Sequence, residues 1–121
     1  MENFVITFTA RPGKADAVSQ FYLELQPQYD KARGFRGRQI FRARPGTMAD
    51  ALRKVMTPEQ MAQHPEPPDD GSVHFIIIEK WDSIADRMAF SASLDKSRNA
   101  ALFPNLLPQH THEYYTEITP G

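Results

Sequence analysis

The chain contains no cysteine in its 121 residues. Disulfides, thiolate metal ligands and a cysteine nucleophile are therefore excluded together, and this usage is typical of a reducing compartment. Long apolar runs are also missing. The run at residues 4–8 is too short for a signal-peptide core, and nothing approaches the roughly 18 apolar residues of a membrane-spanning helix. We therefore expect a cytoplasmic protein that is not embedded in a membrane.

An excess of one charge is missing as well. Lysine and arginine number 14 and aspartate and glutamate 15, which gives a formal net charge of −1 and a pI near 6.4. Nucleic-acid-binding domains usually carry a clear basic excess, so neither a nucleic-acid partner nor an anionic membrane surface is indicated. The length and the 40% of hydrophobic residues fit one domain, residues 1–121, with a modest core.

The first part of the chain predicts a strand, a helix and a second strand. Residues 3–10 are rich in β-branched and aromatic side chains and end at the turn Arg11-Pro12-Gly13. A helical period follows, in which Pro27 predicts a kink near Gln26, and residues 35–43 form the second strand. The apolar face of the predicted helix comprises Val18, Phe21, Tyr22, Leu25, Tyr29 and Ala32.

Residues 47–71 are interpreted as an insert. Thr47 can cap one short helix, and Thr57 can cap another in which Pro58 is the first residue. Residues 65–71, PEPPDDG, can support neither a helix nor a strand ladder and predict an exposed loop. The methionines of the insert suit either a mobile lid over a pocket or an arm that enlarges a dimer contact, and both alternatives stay open.

The last part of the chain repeats the first pattern. A strand at residues 73–81 precedes a helical region at residues 84–94, which restarts near Asp95 and stops before Pro104; residues 110–118 are the last strand. The order β-α-β-insert-β-α-β predicts an α+β fold, the ferredoxin-like antiparallel sheet with two helices on one face. Because residues 75–78 are apolar on both sides of the sheet, we expect a homodimer in which the second face packs against its copy.

Three short segments carry a resemblance to a known family. They are ARPGK at residues 10–14, GF at residues 34–35 and FIIIEKWDS at residues 75–83, where Trp81 ends the strand and Asp82 or Ser83 can cap the next helix, with Asp86 completing a capping-box-like pair. The chain resembles the antibiotic biosynthesis monooxygenase (ABM) domain of the dimeric α+β barrel superfamily. The resemblance implies a dimeric barrel and, in many members, oxygenation of a deprotonated aromatic compound without a cofactor.

The residues that match the family are few. Trp81 and Glu79 fit its E-x-W pattern, but Ile77 stands where the polyketide oxygenases carry an asparagine. The haem-degrading branch requires an asparagine on the first strand, and a tryptophan and a histidine in the second helical region. No asparagine lies between Phe4 and Ala10, no tryptophan exists besides Trp81, and no histidine occurs at residues 83–109, so haem degradation is disfavoured. Trp81 itself suits either the core or a pocket wall in which its N–H is used.

Histidines supply the other candidates for chemistry. His110, His112 and Tyr114 are spaced two apart on one strand and project to one face, and His74 on another strand could approach them. Such a group can provide a general base, a metal site, or only edge-strand or interface contacts. A third metal ligand is not evident from the sequence, so we predict no metal.

An arginine row lies on the second strand. Arg36, Arg38, Arg42 and Arg44 share one side of an unbroken strand. Either this is an edge strand whose arginines pair across a dimer with carboxylates such as Glu113 and Glu117, or the row recognises an anionic group.

The leading hypothesis is a small dimeric enzyme that oxygenates an aromatic or quinol-type compound without metal or flavin. His74, His110 or His112 would be the base, Tyr114 or Arg38 would hold the oxyanion, and Trp81 and Phe75 would contact the substrate. The alternatives are a non-catalytic dimeric module that binds a small apolar ligand, and an acid–base isomerase or dehydratase of the same superfamily.

Overall fold

A four-stranded sheet forms the centre of the protein. The computed structural model describes residues 1–64 and 69–120. The strands are β1 Glu2–Ala10, β2 Phe35–Arg42, β3 Val73–Trp81 and β4 Leu106–Tyr115. They follow the order β2-β3-β1-β4, and every neighbouring pair is antiparallel. This topology confirms the predicted ferredoxin-like α+β fold and places β2 and β4 at the edges.

Short helices connect the strands. The predicted kink is present, because the first helix ends before Leu25 and the next begins at Gln26 with Pro27 in its first turn, where a missing N–H costs nothing. Two 3-10 turns, Lys96–Arg98 and Phe103–Asn105, flank the last short helix. The helix bounds are α1 Ala15–Glu24, α2 Gln26–Asp30, α3 Thr47–Arg53, α4 Pro58–Ala62, α5 Ile84–Ser93 and α6 Asn99–Leu102. None of these helices is long and apolar enough to cross a membrane in the part of the chain described.

Helix starts follow the predicted caps in two of three cases. Thr57 and Gln60 form a reciprocal capping box at α4. Ser83 accepts a hydrogen bond from the N–H of Asp86 at α5, although the Asp86 carboxylate lies near Arg33 instead of completing the box. The prediction that Thr47 caps α3 is wrong, since Gly46, at a φ of 83°, precedes the helix and Thr47 is its first residue.

The end of the chain differs most from the sequence-based expectation. The last strand was expected at residues 110–118, but β4 spans Leu106–Tyr115 and includes Pro108. Proline is tolerated there because β4 is an edge strand and its pairing with β1 shifts register between Phe8 and Ala10. The last α-helix ends at Leu102, before Pro104 as predicted, and Pro104 lies in the 3-10 turn that follows. Of the predicted loop at residues 65–71, residues 65–68 lie outside the described part.

The two faces of the sheet are unequal. On β1 and β3 every second residue is buried under the helices, and the other residues are only partly covered or exposed. The face under the helices is called the covered face and the other the open face. The buried residues of the covered face are Phe4, Ile6, Phe8, Ala10, Phe75, Ile77, Glu79 and Trp81.

Candidate functional site

A cavity of about 580 Å³ lies between the covered face and the helices. Its volume falls within the range of small-molecule sites, roughly 300–1,000 Å³. Apolar side chains dominate the wall, and Phe8 and Tyr22 stack there with ring centroids 4.8 Å apart. The apolar and aromatic lining consists of Ile6, Phe8, Phe21, Tyr22, Leu25, Tyr29, Leu94, Leu102, Phe103, Leu106, Leu107 and Pro108.

The remaining wall residues are polar or basic. Arg87 comes from α5, His110 and His112 from β4, Arg11 from the turn after β1, and Asn99 from α6. Among the described residues, no aspartate or glutamate lines this cavity. A mostly apolar wall with a few converging donors and imidazoles is the usual composition of a ligand or active site.

A buried carboxylate lies behind this wall. Glu79 is 0% exposed, because the alternation of β3 places it between Ile77 and Trp81 in the core. Its Oε2 accepts from the hydroxyl of Tyr29 at 2.5 Å, and its Oε1 accepts from Trp81 Nε1 at 2.9 Å. The same Oε1 accepts from Arg87 Nε at 2.7 Å. Glu79 is thus paired and fully hydrogen-bonded, as burial of a charge requires.

Arg87 connects this network to the cavity. The residue is only 6% exposed, and its guanidinium lies 4.5 Å from the ring centroid of Phe4. Nε donates to Glu79 and Nη1 donates to Ser91, whereas Nη2 makes no hydrogen bond to any described residue. Because the guanidinium is held in place by the core, it presents a fixed positive donor to the cavity wall.

Burial shifts the pKa values of three polar groups around the cavity. Burial and the nearby Glu79 carboxylate raise the pKa of Tyr22 to about 12, and the same causes raise the pKa of Tyr29. Both hydroxyls are therefore proton donors at neutral pH. Desolvation, with the positive charges of His110 and Arg87, lowers the pKa of His112 below the ordinary 6.5 although its ring remains open to the cavity. His112 is consequently neutral at pH 7.

The structure brings together two of the predicted histidines. His110 and His112 both line the cavity, with ring centroids 5.3 Å apart. His110 Nδ1 lies 3.0 Å from the carbonyl of Pro108, so the neutral ring carries its proton on Nδ1 and leaves Nε2 as an acceptor. His74 does not join them. It lies on the open face, with Nδ1 3.1 Å from Thr9 Oγ1, so the expected approach of His74 to the other two is wrong.

A histidine metal site receives no support from this arrangement. The predicted triad is divided by the sheet, and no group of three or more potential ligands occurs among the described residues. A general base, a hydrogen-bonding role and edge-strand or interface contacts all stay open for His110 and His112.

Three other predicted site residues lie beside the cavity and not in its wall. Trp81 is fully buried and donates to Glu79. Of the two roles considered for it, core residue or pocket wall, it therefore has the first. Phe75 stacks behind Phe8 at 5.2 Å. Tyr114 does share the face of His110 and His112, packs on Phe4 at 4.8 Å, and has a buried hydroxyl without a partner among the described residues.

Arg38 also lies outside the cavity wall. Its Nη2 donates to the carbonyl of Tyr22 at 2.9 Å and to Gln26 Oε1 at 2.8 Å, and its guanidinium lies 4.1 Å from the Tyr29 ring centroid. It therefore supports the helix that supplies Tyr22.

The arginine row is broken by a register shift between Phe35 and Gly37. Strand β2 is an edge, as predicted. Two of its arginines form ion pairs within the same chain, however. Arg36 pairs with Asp82 at 2.7 Å and Arg42 with Asp16 at 2.7 Å. The expected pairing with Glu113 and Glu117 is not needed to explain them.

The residues that sequence reasoning missed are Arg87, Tyr22 and Tyr29 as polar groups of one site, together with Arg11 at its edge. A signal existed for Arg87. It follows the Ser83 cap by one turn and shares a helical face with Phe90 and Leu94, which puts an arginine on an apolar face. Glu79 shares the buried side of β3 with Ile77 and Trp81. A charged residue at each of two core positions predicts that they pair.

Comparisons with known proteins agree with the fold. A scan against protein-family models gives no match, and a search of curated proteins gives none either. Among solved structures, an antibiotic biosynthesis monooxygenase is 17% identical and matches with a TM-score of 0.62 over 98% of this chain and 100% of that chain. A putative antibiotic biosynthesis monooxygenase from Bordetella bronchiseptica is 12% identical, with a TM-score of 0.64 over 98% and 97% of the two chains.

A third solved structure is that of a protein with a named activity. SnoaB, a cofactor-independent oxygenase from Streptomyces nogalater, is 14% identical and matches with a TM-score of 0.58 over 98% of this chain and 94% of that chain. Identities of this size show a common fold and leave the reaction to be argued from the site. The resemblance inferred from the sequence is therefore confirmed at the level of the fold: the chain has the α+β fold of the antibiotic biosynthesis monooxygenases.

Proposed function

We propose that this protein is a cofactor-independent monooxygenase of the ABM family that acts on a small aromatic compound of the hydroquinone type. The observation that carries the proposal is the pairing of a neutral imidazole, His112, with a fixed guanidinium, Arg87, in the wall of one apolar cavity. A base beside a cationic donor in an apolar wall is what formation of a reactive phenolate requires.

The reaction is balanced without an added reductant. His112 takes the proton of a substrate hydroxyl, and Arg87 Nη2 holds the resulting oxyanion, with the Tyr22 hydroxyl as a second donor. The electron-rich ring then reacts with dioxygen. A hydroquinone and O₂ give a hydroxyquinone and water, so the substrate supplies the two electrons that reduce the second oxygen atom. His110 Nε2 can accept a hydrogen bond from a second hydroxyl.

The active form is proposed to be a cytoplasmic homodimer that closes the open face. That face leaves large apolar side chains in solvent, with Phe41 47% and Ile76 38% exposed. Packing two such faces together would remove this apolar surface from water, as in a two-fold symmetric association. The described part of the insert, residues 47–64 and 69–71, supplies no residue to the cavity wall, so its role as lid or arm stays open.

Oxygen consumption with a panel of substituted hydroquinones tests the function. We expect uptake that exceeds autoxidation and forms water, so that added catalase returns none of the consumed oxygen. His112→Asn should reduce the rate by roughly 10²-fold or more, as is typical when a general base is removed. His64→Asn, which changes an exposed histidine outside the cavity wall, is the matched control and should keep the wild-type rate.

Two results would overturn the proposal in different ways. Tight binding of the same compounds without oxygen uptake would favour the non-catalytic binding module. Proton exchange or isomerisation of a substrate that depends on His112 but consumes no oxygen would favour an acid–base isomerase of the same superfamily.

A further inference from the structure

The cavity wall is electrically one-sided. It contains Arg11, Arg87, His110 and His112, and none of its lining residues in the described part of the chain is an aspartate or glutamate. A chain with a formal net charge of −1 gives no general reason for such a bias, so the bias belongs to the site. A wall of this composition attracts anionic ligands and repels cationic ones.

The two arginines of the wall differ in how their charges are balanced. Arg87 is paired with the buried Glu79, and its positive charge is largely offset there. The Arg11 side chain makes no hydrogen bond or ion pair with any described residue. Other arginines of the protein are paired with carboxylates, Arg42 with Asp16 and Arg33 with Asp86. Arg11 is thus the uncompensated cation of the cavity.

The backbone fixes where Arg11 lies. Its N–H donates to the carbonyl of Asn105 at 2.8 Å, and its carbonyl accepts from the N–H of Lys14 at 3.0 Å. These bonds tie the turn after β1 to the segment that leads into β4, next to Phe103 and Leu106 of the cavity wall. Arg11 is solvent-exposed, so its side chain stands at the open edge of the cavity.

We infer that the cavity binds an aromatic compound that carries a carboxylate, and that Arg11 pairs with this carboxylate at the cavity mouth. The ring lies against the apolar wall around Phe8 and Phe21, and its hydroxyl faces His112 and Arg87. This inference rests on the proposed function for the position of the reacting hydroxyl. A guanidinium suits a carboxylate well because it can donate two parallel hydrogen bonds.

Paired probes that differ by one carboxylate test the inference. 5-Hydroxy-1-naphthoate and 1-naphthol share the ring and the hydroxyl, and the carboxylate of the acid lies on the ring away from the hydroxyl; calorimetry measures the binding of each to the full chain. We expect the acid to bind about fivefold more tightly than the alcohol at low salt, as one solvent-accessible ion pair allows, and to lose that advantage in concentrated salt.

Arg11→Gln should abolish the preference for the acid and leave the affinity for 1-naphthol unchanged, which also shows that the variant is folded. Arg44→Gln removes another exposed arginine that lies outside the wall, and it should keep the preference. Equal affinity of the wild type for both probes, or equal loss of both probes in Arg11→Gln, would refute the carboxylate site.

The two proposals fail separately. A preference for the acid that depends on Arg11, without oxygen uptake, would support the carboxylate site and remove the oxygenase. Oxygen uptake with neutral hydroquinones that is unaffected by Arg11→Gln, together with no preference for the acid, would do the reverse.

Discussion

The two faces of the sheet use the same strands for different purposes. On β3 the covered face carries Ile77, Glu79 and Trp81, all fully buried, whereas the open face carries Ile76 and Ile78, which stay at least partly in solvent. The covered face thus combines a core with an ion pair and a cavity. The open face combines apolar side chains with hydroxyl contacts.

This difference matches the proposed roles of the two faces, a reaction site on the covered face and a contact with a second copy on the open face. Charges on the covered face are bonded within the chain, as in the Glu79–Arg87 pair, and only selected groups reach the cavity. On the open face, Thr7 contacts Thr111 and Thr9 contacts His74 across neighbouring strands, between exposed apolar residues. Such a surface offers area and few charges, which suits a partner surface better than a reaction.

Breaking the buried ion pair should have the largest effect. Arg87→Met leaves the Glu79 carboxylate in the core without its cation, and we expect the free energy of unfolding to fall by about 3 to 5 kcal/mol. Urea denaturation measures the change. The matched control is Arg36→Met, which removes the exposed partner of Asp82 and should lower the free energy of unfolding far less, because water screens an exposed pair.

A double variant sharpens this test. Glu79→Gln combined with Arg87→Met removes both charges, while the amide oxygen can accept from Trp81 and the amide NH₂ can donate to the Tyr29 hydroxyl, so part of the lost stability should return. If Arg87→Met proves no more destabilising than Arg36→Met, the buried pair is not a structural element of the core.

A charge on the open face should separate the subunits. Ile76→Lys places an ammonium group in the proposed dimer contact, and we expect sedimentation to show a monomer where the wild type is a dimer. The fold should persist, since Ile76 is already 38% exposed within one chain. Leu23→Lys changes an exposed residue of α1 and should leave the dimer intact. A wild-type monomer, or a dimer that survives Ile76→Lys, would contradict the face-to-face assembly.

The smallest effect concerns the pH dependence of stability. The pKa of His112 is lowered in the folded protein by burial and by His110 and Arg87, with Glu79 acting in the opposite direction. As the pH falls below about 6.5, the unfolded chain takes up this proton first, so the folded state loses stability. His112→Gln removes the effect. Its unfolding free energy should decline less steeply than that of the wild type between about pH 6.5 and 5; parallel curves would show that His112 is not desolvated.

Much of the fold followed from local sequence signals. The strand at residues 73–81 has the predicted bounds because its apolar run ends at Trp81 and a Ser83 cap follows directly. The kink before Gln26 follows from Pro27. Strand β4 was displaced because its start depends on pairing with β1 and on a bulge near Ala10, and these are tertiary features that the polar residues 109–113 do not encode locally.

The site was less predictable than the fold. Spacing correctly placed His110, His112 and Tyr114 on one face, because a period of two is a local property. Whether His74 joined them depended on strand order and register, and it lies on the opposite face. Arg87 and Glu79 are eight residues apart on different elements, and each alone resembles an ordinary surface charge. Only the structure, in which both side chains are buried and bonded to each other, identifies them as a core ion pair.

The proline in β4 affects how copies of this protein can meet. A strand at the edge of a sheet offers unpaired N–H and C=O groups to any passing strand, and continuous edge pairing leads to open-ended aggregates. Pro108 has no N–H to offer, and the irregular pairing beside it interrupts the edge that β4 presents. The residue that obscured this strand in the sequence therefore discourages growth along the sheet, which agrees with the closed, face-to-face contact proposed above.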